Sequence, residues 1–290
     1  MQKIKKAVIL MAGLGTRFLP LSKILSKENF PLLDKPLFHY AVKEIVDSGI
    51  SEIIFVISHR SKSFLSILDY FKTSPELERI LKEKKKEDIL KELKDLNEIF
   101  KNVSFKYVLQ KRSLGDGQAV LLTKNLVKKE PVAVLFVDDI ILASLPCLFQ
   151  LTQIFKTCSA PVIALSRLPK ERITSYGTVK VEKITSRLYK IKKIIEKPKT
   201  EEILSDLAIV GRYILTPEVF EYLAKVRPSQ KKEVILVKGL DKMIEDGKII
   251  YGYEFKGKWL ECGDKDKWIK SFLYLASKEE KYKNYLKRLI

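Results

Sequence analysis

The sequence predicts an α/β fold, a mixed and mostly parallel sheet flanked by helices in the Rossmann-like manner. Three observations predict it. Short apolar runs recur along the first half of the chain, as strands buried on both faces require. Amphipathic stretches long enough for helices separate them, which implies βαβ crossovers. Glycines or acidic pairs follow several of the runs, where an open α/β sheet places its ligands.

Residues 7–11 (AVILM) read as the first buried strand. In 37–48, apolar residues at 37, 38, 41, 42, 45 and 46 form a helical stripe. Gly49 follows as its C-cap. Residues 53–57 (IIFVI), 105–109, 132–137 (VAVLFV) and 161–165 read as the next four strands, with helices near 63–71, 76–100, 117–127 and 146–157. The stretch 76–100 is charged, with a narrow apolar stripe. It reads as a solvated surface helix or helix pair, or as a lid or subunit contact. The second half is less regular, with strands near 177–182, 189–196, 207–215 and 249–255. A helix starts at Thr216-Pro217, another covers 233–246, and an amphipathic helix over 264–287 closes the chain. Residues 1–220 are expected to form the catalytic core and 221–290 a helical region that completes the fold.

The net charge of +19 favours anionic partners: phosphorylated small molecules, nucleic acid or an acidic membrane. Lysine on solvated faces accounts for part of it. No helix-turn-helix, RNA-recognition or zinc-finger pattern accompanies the charge. No apolar run approaches the roughly 18 residues of a membrane span. Neither nucleic acid nor membrane is expected as a partner. Cys147, Cys158 and Cys262 lack a CxxC spacing, which argues against a disulfide scaffold and for a reducing compartment. His39 and His59 have no metal-ligand spacing, which disfavours a His/Cys zinc site or a His-based triad. The basic start and the apolar run at 7–12 mimic a secretion signal, but the run is short and Arg17 follows it. The expected location is the cytoplasm.

Four clusters can carry chemistry. Gly13-Leu14-Gly15-Thr16-Arg17 follows the first strand, with Lys23 and Lys27 downstream. Glycines admit close backbone approach, and successive N–H groups can cradle an anion. Phe18 stands where a dinucleotide fingerprint needs its third glycine, and no GK[ST] is present. The layout suits a polyphosphate, or a plain turn with surface cations. Asp138-Asp139 ends the fourth run, well placed for a hard cation such as Mg²⁺ or for a simple acidic turn. Glu196-Lys197-Pro198-Lys199 offers a hydroxyl acceptor and a phosphate partner on a stiff turn. Gln110 with the LGDGQA loop at 114–119 could read a base edge, or be an ordinary loop before a helix.

Taken together, these positions resemble the bacterial UTP–glucose-1-phosphate uridylyltransferases, or UDP-glucose pyrophosphorylases. The likeness runs along nearly the whole chain: AGLGTRFLP at 12–20, Lys27-Glu28, Pro31-Leu32, Asp34-Lys35-Pro36, DYFKTSPELE at 69–78, SYGTV around Gly177, EKPK at 196–199 and LAIVGRYILTP at 207–217. The resemblance implies a nucleotidyltransferase fold of the glycosyltransferase-A kind. The implied partners are UTP and glucose 1-phosphate, the implied cofactor Mg²⁺, and the implied assembly a homo-oligomer, dimer or tetramer. It implies in-line attack of the sugar phosphate on the α-phosphorus of UTP, with Arg17, Lys27, Asp138 and Lys197 as the catalytic set. Ala12, Gly13, Leu14, Gly15, Gln110 and Gly115 would bind the nucleotide. Gly177, Glu196 and Gly211 would hold the sugar, and Asp138 with Glu261 the metal.

The chain departs from the family pattern near the substrates. SLGDGQA replaces PLGLGHA, so Asp116 brings a carboxylate near the expected nucleotide, where it would repel phosphates unless it points to solvent. Asp206 replaces Asn in SNLAIVGRY, and EVILVKG at 233–239 replaces EIQLTDA, losing a Gln, a Thr and an Asp. Glu261-Cys262-Gly263 replaces DxG, setting the carboxylate one methylene farther out. Retained activity, a different sugar 1-phosphate or nucleotide, and a weakly active or inactive paralogue that binds sugar nucleotides or modulates a true uridylyltransferase are the readings these changes leave open.

Overall fold

Strand β1 (Lys6–Met11) shows why a sheet covered on both faces forms. Ala7, Ile9 and Met11 enter one apolar cluster and Val8 enters another on the opposite side. The computed structural model describes residues 3–58, 63–228 and 232–289, so His59 lies outside it. After β1 come the two-residue strands β2 (Pro31–Leu32) and β3 (Lys35–Pro36), which pair with each other. They are followed by β4 (Glu52–Ser58), β5 (Ser104–Gln110), β6 (Val132–Phe136), β7 (Asp139–Leu142), β8 (Val162–Arg167), β9 (Gly177–Lys183), β10 (Leu188–Glu196), β11 (Leu207–Leu215), β12 (Tyr251–Glu254) and β13 (Lys258–Glu261). Nine of them make the main sheet among the described residues, in the order β5-β4-β1-β6-β11-β8-β12-β10-β9. The β5-β4-β1-β6 half is parallel. Central β11, buried at every residue, runs antiparallel to both its neighbours β6 and β8.

Helices Leu37–Asp47 and Cys147–Cys158 pack one face of this sheet, and Asp116–Leu122, Val219–Lys225 and Leu236–Glu245 the other. Gly49 caps the first of these helices with φ 78°. The charged 76–100 stretch is a pair of helices, Pro75–Glu83 and Glu87–Phe100, parted where Lys85 takes φ 51°. The predicted helices at 117–127 and 264–287 are each two pieces, meeting near Thr123 and Glu279. The chain after 220 supplies helices and also β12, which lies between β8 and β10, and β13, which pairs with β7. No helix among the described residues is long and apolar enough to cross a membrane.

His39 is 2% exposed on helix Leu37–Asp47 and shares a 3.0 Å hydrogen bond between Nδ1 and the Tyr70 hydroxyl. Burial, then the charges of Lys35 and Lys43, lower its pKa to about 4. The unfolded chain takes up this proton as pH falls from about 6.5 to 4, and the folded chain does not. Stability is therefore lost as pH falls through that window. His39→Gln is expected to make the slope of unfolding free energy between pH 4.5 and 6 shallower, by up to ~1.4 kcal/mol per pH unit. Urea titrations of the two proteins across that range check it.

Candidate active site

The parallel strands deliver their carboxyl ends to one edge. Leu10 pairs with Phe136 and Ser58 with Gln110, so the loops after β1, β5 and β6 open side by side. A cleft of about 930 Å³ lies there. Ala12, Gly13, Arg17, Lys27, Gln110, Gly115, Asp138, Glu196 and Lys197 all line it. Leu14 is half exposed and does not line the cleft, nor does Gly15. Gly15 acts through its backbone: φ 63° turns the chain into the one-turn helix Thr16–Phe18 that presents Arg17.

Lys27 crosses the cleft beside Gly13 and bonds Asp138, Nζ to Oδ2, at 2.6 Å. Arg17 reaches the same corner and donates to the carbonyl of Gly263 at 3.3 Å. Burial alone would raise the Asp138 carboxyl, but the Lys27 ammonium and then Arg17 outweigh it, so Asp138 is held below the usual range and stays ionised. Its neighbour is the opposite case. Burial, then the Asp138 charge, raise Asp139 to about 6. Asp139 faces away from the phosphate corner. It accepts from Trp259 Nε1 at 2.8 Å and from the Gly211 N–H at 3.1 Å. Two adjacent carboxylates thus have separate partners, Asp138 the Lys27 ammonium at the cleft and Asp139 the scaffold.

Beneath them sits Arg212, with no exposed surface. Its guanidinium bonds Glu44 at 2.9 and 3.0 Å and donates to the carbonyls of Phe136, Gly211 and Asp139. These bonds fix the β6–β7 turn that carries Asp138.

On the sugar side, Glu196 pairs with Gly177 across the β10–β9 ladder. A side chain at Gly177 would crowd the Glu196 carboxylate, which is raised by burial despite Lys197, 3.7 Å away. Lys197 adopts φ 46°, held by its N–H bond to the Tyr176 carbonyl at 3.0 Å. Five other described non-glycine residues also take positive φ, so the backbone angle alone does not single Lys197 out. Gly211 lies behind Asp139 and does not line the cleft.

Glu261 does not join Asp138. Its carboxylate bonds the Arg172 guanidinium, the Tyr176 hydroxyl and the Lys267 ammonium, and Lys267 also lies over the Tyr176 ring. The second metal carboxylate expected from the sequence is therefore engaged elsewhere. The other departures also have internal partners. Asp206 pairs with Arg167 at 2.6 Å. Asp116 accepts from the N–H groups of Gly117 and Leu236 at 2.7 and 2.9 Å. Phe136, Glu233, Ile235 and Lys238 also line the cleft. The departure from the family pattern at 233–239 pointed to that segment without assigning its residues a role, and it reaches the cleft only through the tertiary fold.

Among the described residues no three acidic, His or Cys side chains gather as a ready-made metal cage. Asp138 alone is the mode in which Mg²⁺ is held by one or two carboxylates plus substrate phosphates. The donor set fits that mode.

A glycine loop with two cations, an ionised aspartate held by one of them and a Glu-Lys pair around one cleft suit a phosphate-ester transfer site. Comparison with known proteins agrees. The nucleotidyl transferase family model matches residues 6–278. The UTP–glucose-1-phosphate uridylyltransferase of Staphylococcus haemolyticus is 37% identical over 293 residues, covering all of this chain and 98% of that one. Its Bacillus subtilis namesake is 37% identical over 286 residues, covering 99% and 96%. A UDP-glucose pyrophosphorylase crystallised with UDP-glucose superposes with a TM-score of 0.85 at 34% identity, covering 96% of this chain and 100% of that one. The UTP-bound enzyme of Acinetobacter baumannii gives 0.87 at 32%, covering 99% and 98%. Geometry and full-length likeness together place this chain in the nucleotidyl transferase family, among its UTP–glucose-1-phosphate uridylyltransferases.

Proposed function

We propose that the chain transfers the uridylyl group of UTP to glucose 1-phosphate, forming UDP-glucose and releasing pyrophosphate. The observation that carries this reading is the convergence of Arg17, Lys27, Asp138, Glu196 and Lys197 on one cleft. A phosphate oxygen of the sugar forms the new bond to the α-phosphorus, and the bond to the bridging oxygen of the β-phosphate breaks. The leaving pyrophosphate keeps that electron pair, so no nucleophilic side chain is required. Catalysis is alignment and charge stabilisation. Backbone at Ala12, Gly13 and Gly115, with Gln110, receives the nucleotide. Gln110 is preset by bonds to the Gly115 carbonyl at 3.1 Å and to Gln118. Arg17 and Lys27 meet the triphosphate and the departing pyrophosphate. Lys197 neutralises the sugar phosphate, and Glu196 accepts from sugar hydroxyls. Asp138 would hold Mg²⁺, which supplies charge neutralisation when bound. Lys27 would then trade its bond to Asp138 for phosphate. Residues 1–220 carry this machinery, 221–290 complete the cleft, and a homo-oligomer is the proposed assembly.

The test follows pyrophosphate release from purified protein with Mg²⁺, glucose 1-phosphate and each nucleoside triphosphate. Turnover confined to UTP is the expected result. Turnover with another nucleotide or sugar keeps the chemistry and moves the substrate. None with any pair, from folded protein, overturns the reading in favour of a paralogue that only binds.

A further inference from the structure

Helix Leu236–Glu245 touches both halves of the cleft through two carboxylates. At its first residue, Asp116 Oδ1 accepts from the Leu236 N–H at 2.9 Å and from the Gly117 N–H at 2.7 Å. Two backbone bonds flank that contact. The Gly117 N–H donates to the Val234 carbonyl at 3.0 Å, and the Val234 N–H donates to the Leu114 carbonyl at 2.8 Å. A side chain on Gly115 or Gly117 would collide with the 234–236 backbone. The loop that receives the nucleotide is thereby stapled edge-on to the start of the helix. Five residues along, about 7.5 Å at helical rise, Asp241 Oδ1 accepts from the Ile194 N–H at 2.7 Å. β12 stops pairing with β10 at Lys190, so this N–H meets the helix rather than a strand. Ile194 lies two residues before Glu196.

The sequence supports the first contact independently. Ile235, at the N-cap of the helix, gives it no side-chain cap. The Asp116 carboxylate, from the loop opposite, supplies the acceptor that the N-cap residue lacks.

We propose that Asp116 and Asp241 are positioning residues that make this helix a rigid tie between the nucleotide loop and the sugar strand. Through it the affinities for UTP and for the sugar 1-phosphate are coupled. This rests on the uridylyl-transfer reading of the cleft. Linkage makes the coupling reciprocal: each substrate raises affinity for the other by the same factor.

The experiment compares wild type with Asp116→Ala, Asp116→Asn, Asp241→Ala and Asp241→Asn, all in the full chain. Calorimetry with Mg²⁺ gives the affinity for a UTP analogue whose α,β-bridge is a non-cleavable methylene and for glucose 1-phosphate, each alone and in the presence of the other. Pyrophosphate release gives KM and kcat. Asp116→Ala is expected to weaken UTP about tenfold and Asp241→Ala glucose 1-phosphate about tenfold, with kcat at saturation within threefold. Both should abolish the mutual enhancement seen in wild type. The Asn variants keep the acceptor oxygen and should recover at least half of each loss on a logarithmic scale. Wild type in which neither substrate alters affinity for the other overturns the proposal, as do alanine variants that weaken both substrates equally or Asn variants no better than Ala. If Asp116→Ala does not fold, Asp116→Asn and the Asp241 pair carry the comparison. Tight binding without turnover refutes the transfer reading while the affinities still decide the coupling.

Discussion

Glu44→Ala is expected to lower the stability of the fold by about 3–5 kcal/mol. The substitution removes one carboxylate and strands its partner, the guanidinium of Arg212, in a place with no solvent contact. The pair itself is not the reason for so large a loss, since desolvating two charges offsets most of their attraction. The loss comes from a buried cation left with carbonyl partners alone. Glu44 also accepts from the Leu148 N–H at 3.0 Å, so helix Cys147–Cys158 loses a contact at its start. Urea denaturation of the two proteins measures the difference, and a loss below about 1 kcal/mol would show that the site relaxes or admits water. Because Arg212 holds the Phe136 and Asp139 carbonyls, whatever folded variant remains should also turn over more slowly.

Asp138→Asn should cut turnover by at least about 10²–10³-fold, the scale for removing one preorganised electrostatic group at a reacting centre. Stability should fall by less than in Glu44→Ala, because the Lys27–Asp138 pair opens to the cleft, with side chains 16% and 22% accessible, and the amide keeps an acceptor for Lys27. The amide can still accept from Lys27 but carries no charge to hold a divalent cation. A melting temperature within a few degrees of wild type, beside the lost turnover, identifies the effect as chemical. Activity within tenfold of wild type would move the cation-holding task to another residue.

The sequence was informative where chemistry is local. The runs at 7–11 and 53–57 lie within β1 and β4 because uninterrupted apolar residues fit only a strand covered on both faces. Nine of the fourteen expected site residues line the cleft, because the ligand edge of a parallel sheet follows from where its strands end. What was illegible depends on distant partners. Nothing in the sequence singled out Glu44, whose buried ion-pair partner, Arg212, is 168 positions away. The four-residue strands β7 and β13 are too short to show a pattern, and they hold each other across the gap from Asp139 to Glu261. Glu261 resembled a cation ligand until Arg172, Tyr176 and Lys267 met it. Asp116 lines the cleft as the sequence suggested, but its partner, the Leu236 N–H, is 120 residues downstream and could not be foreseen.

The late arrival of β12 has a consequence for biosynthesis. Its neighbour β8 ends at Arg167, whereas β12 begins at Tyr251 and fills the space between β8 and β10. At ~5–20 residues per second, the nascent chain waits on the order of ten seconds with two sheet edges uncovered. During that interval the β9–β10 hairpin has no seat beside β8, and β8 presents an open row of backbone donors and acceptors to any passing strand. Slow codons before position 251 would lengthen this exposure.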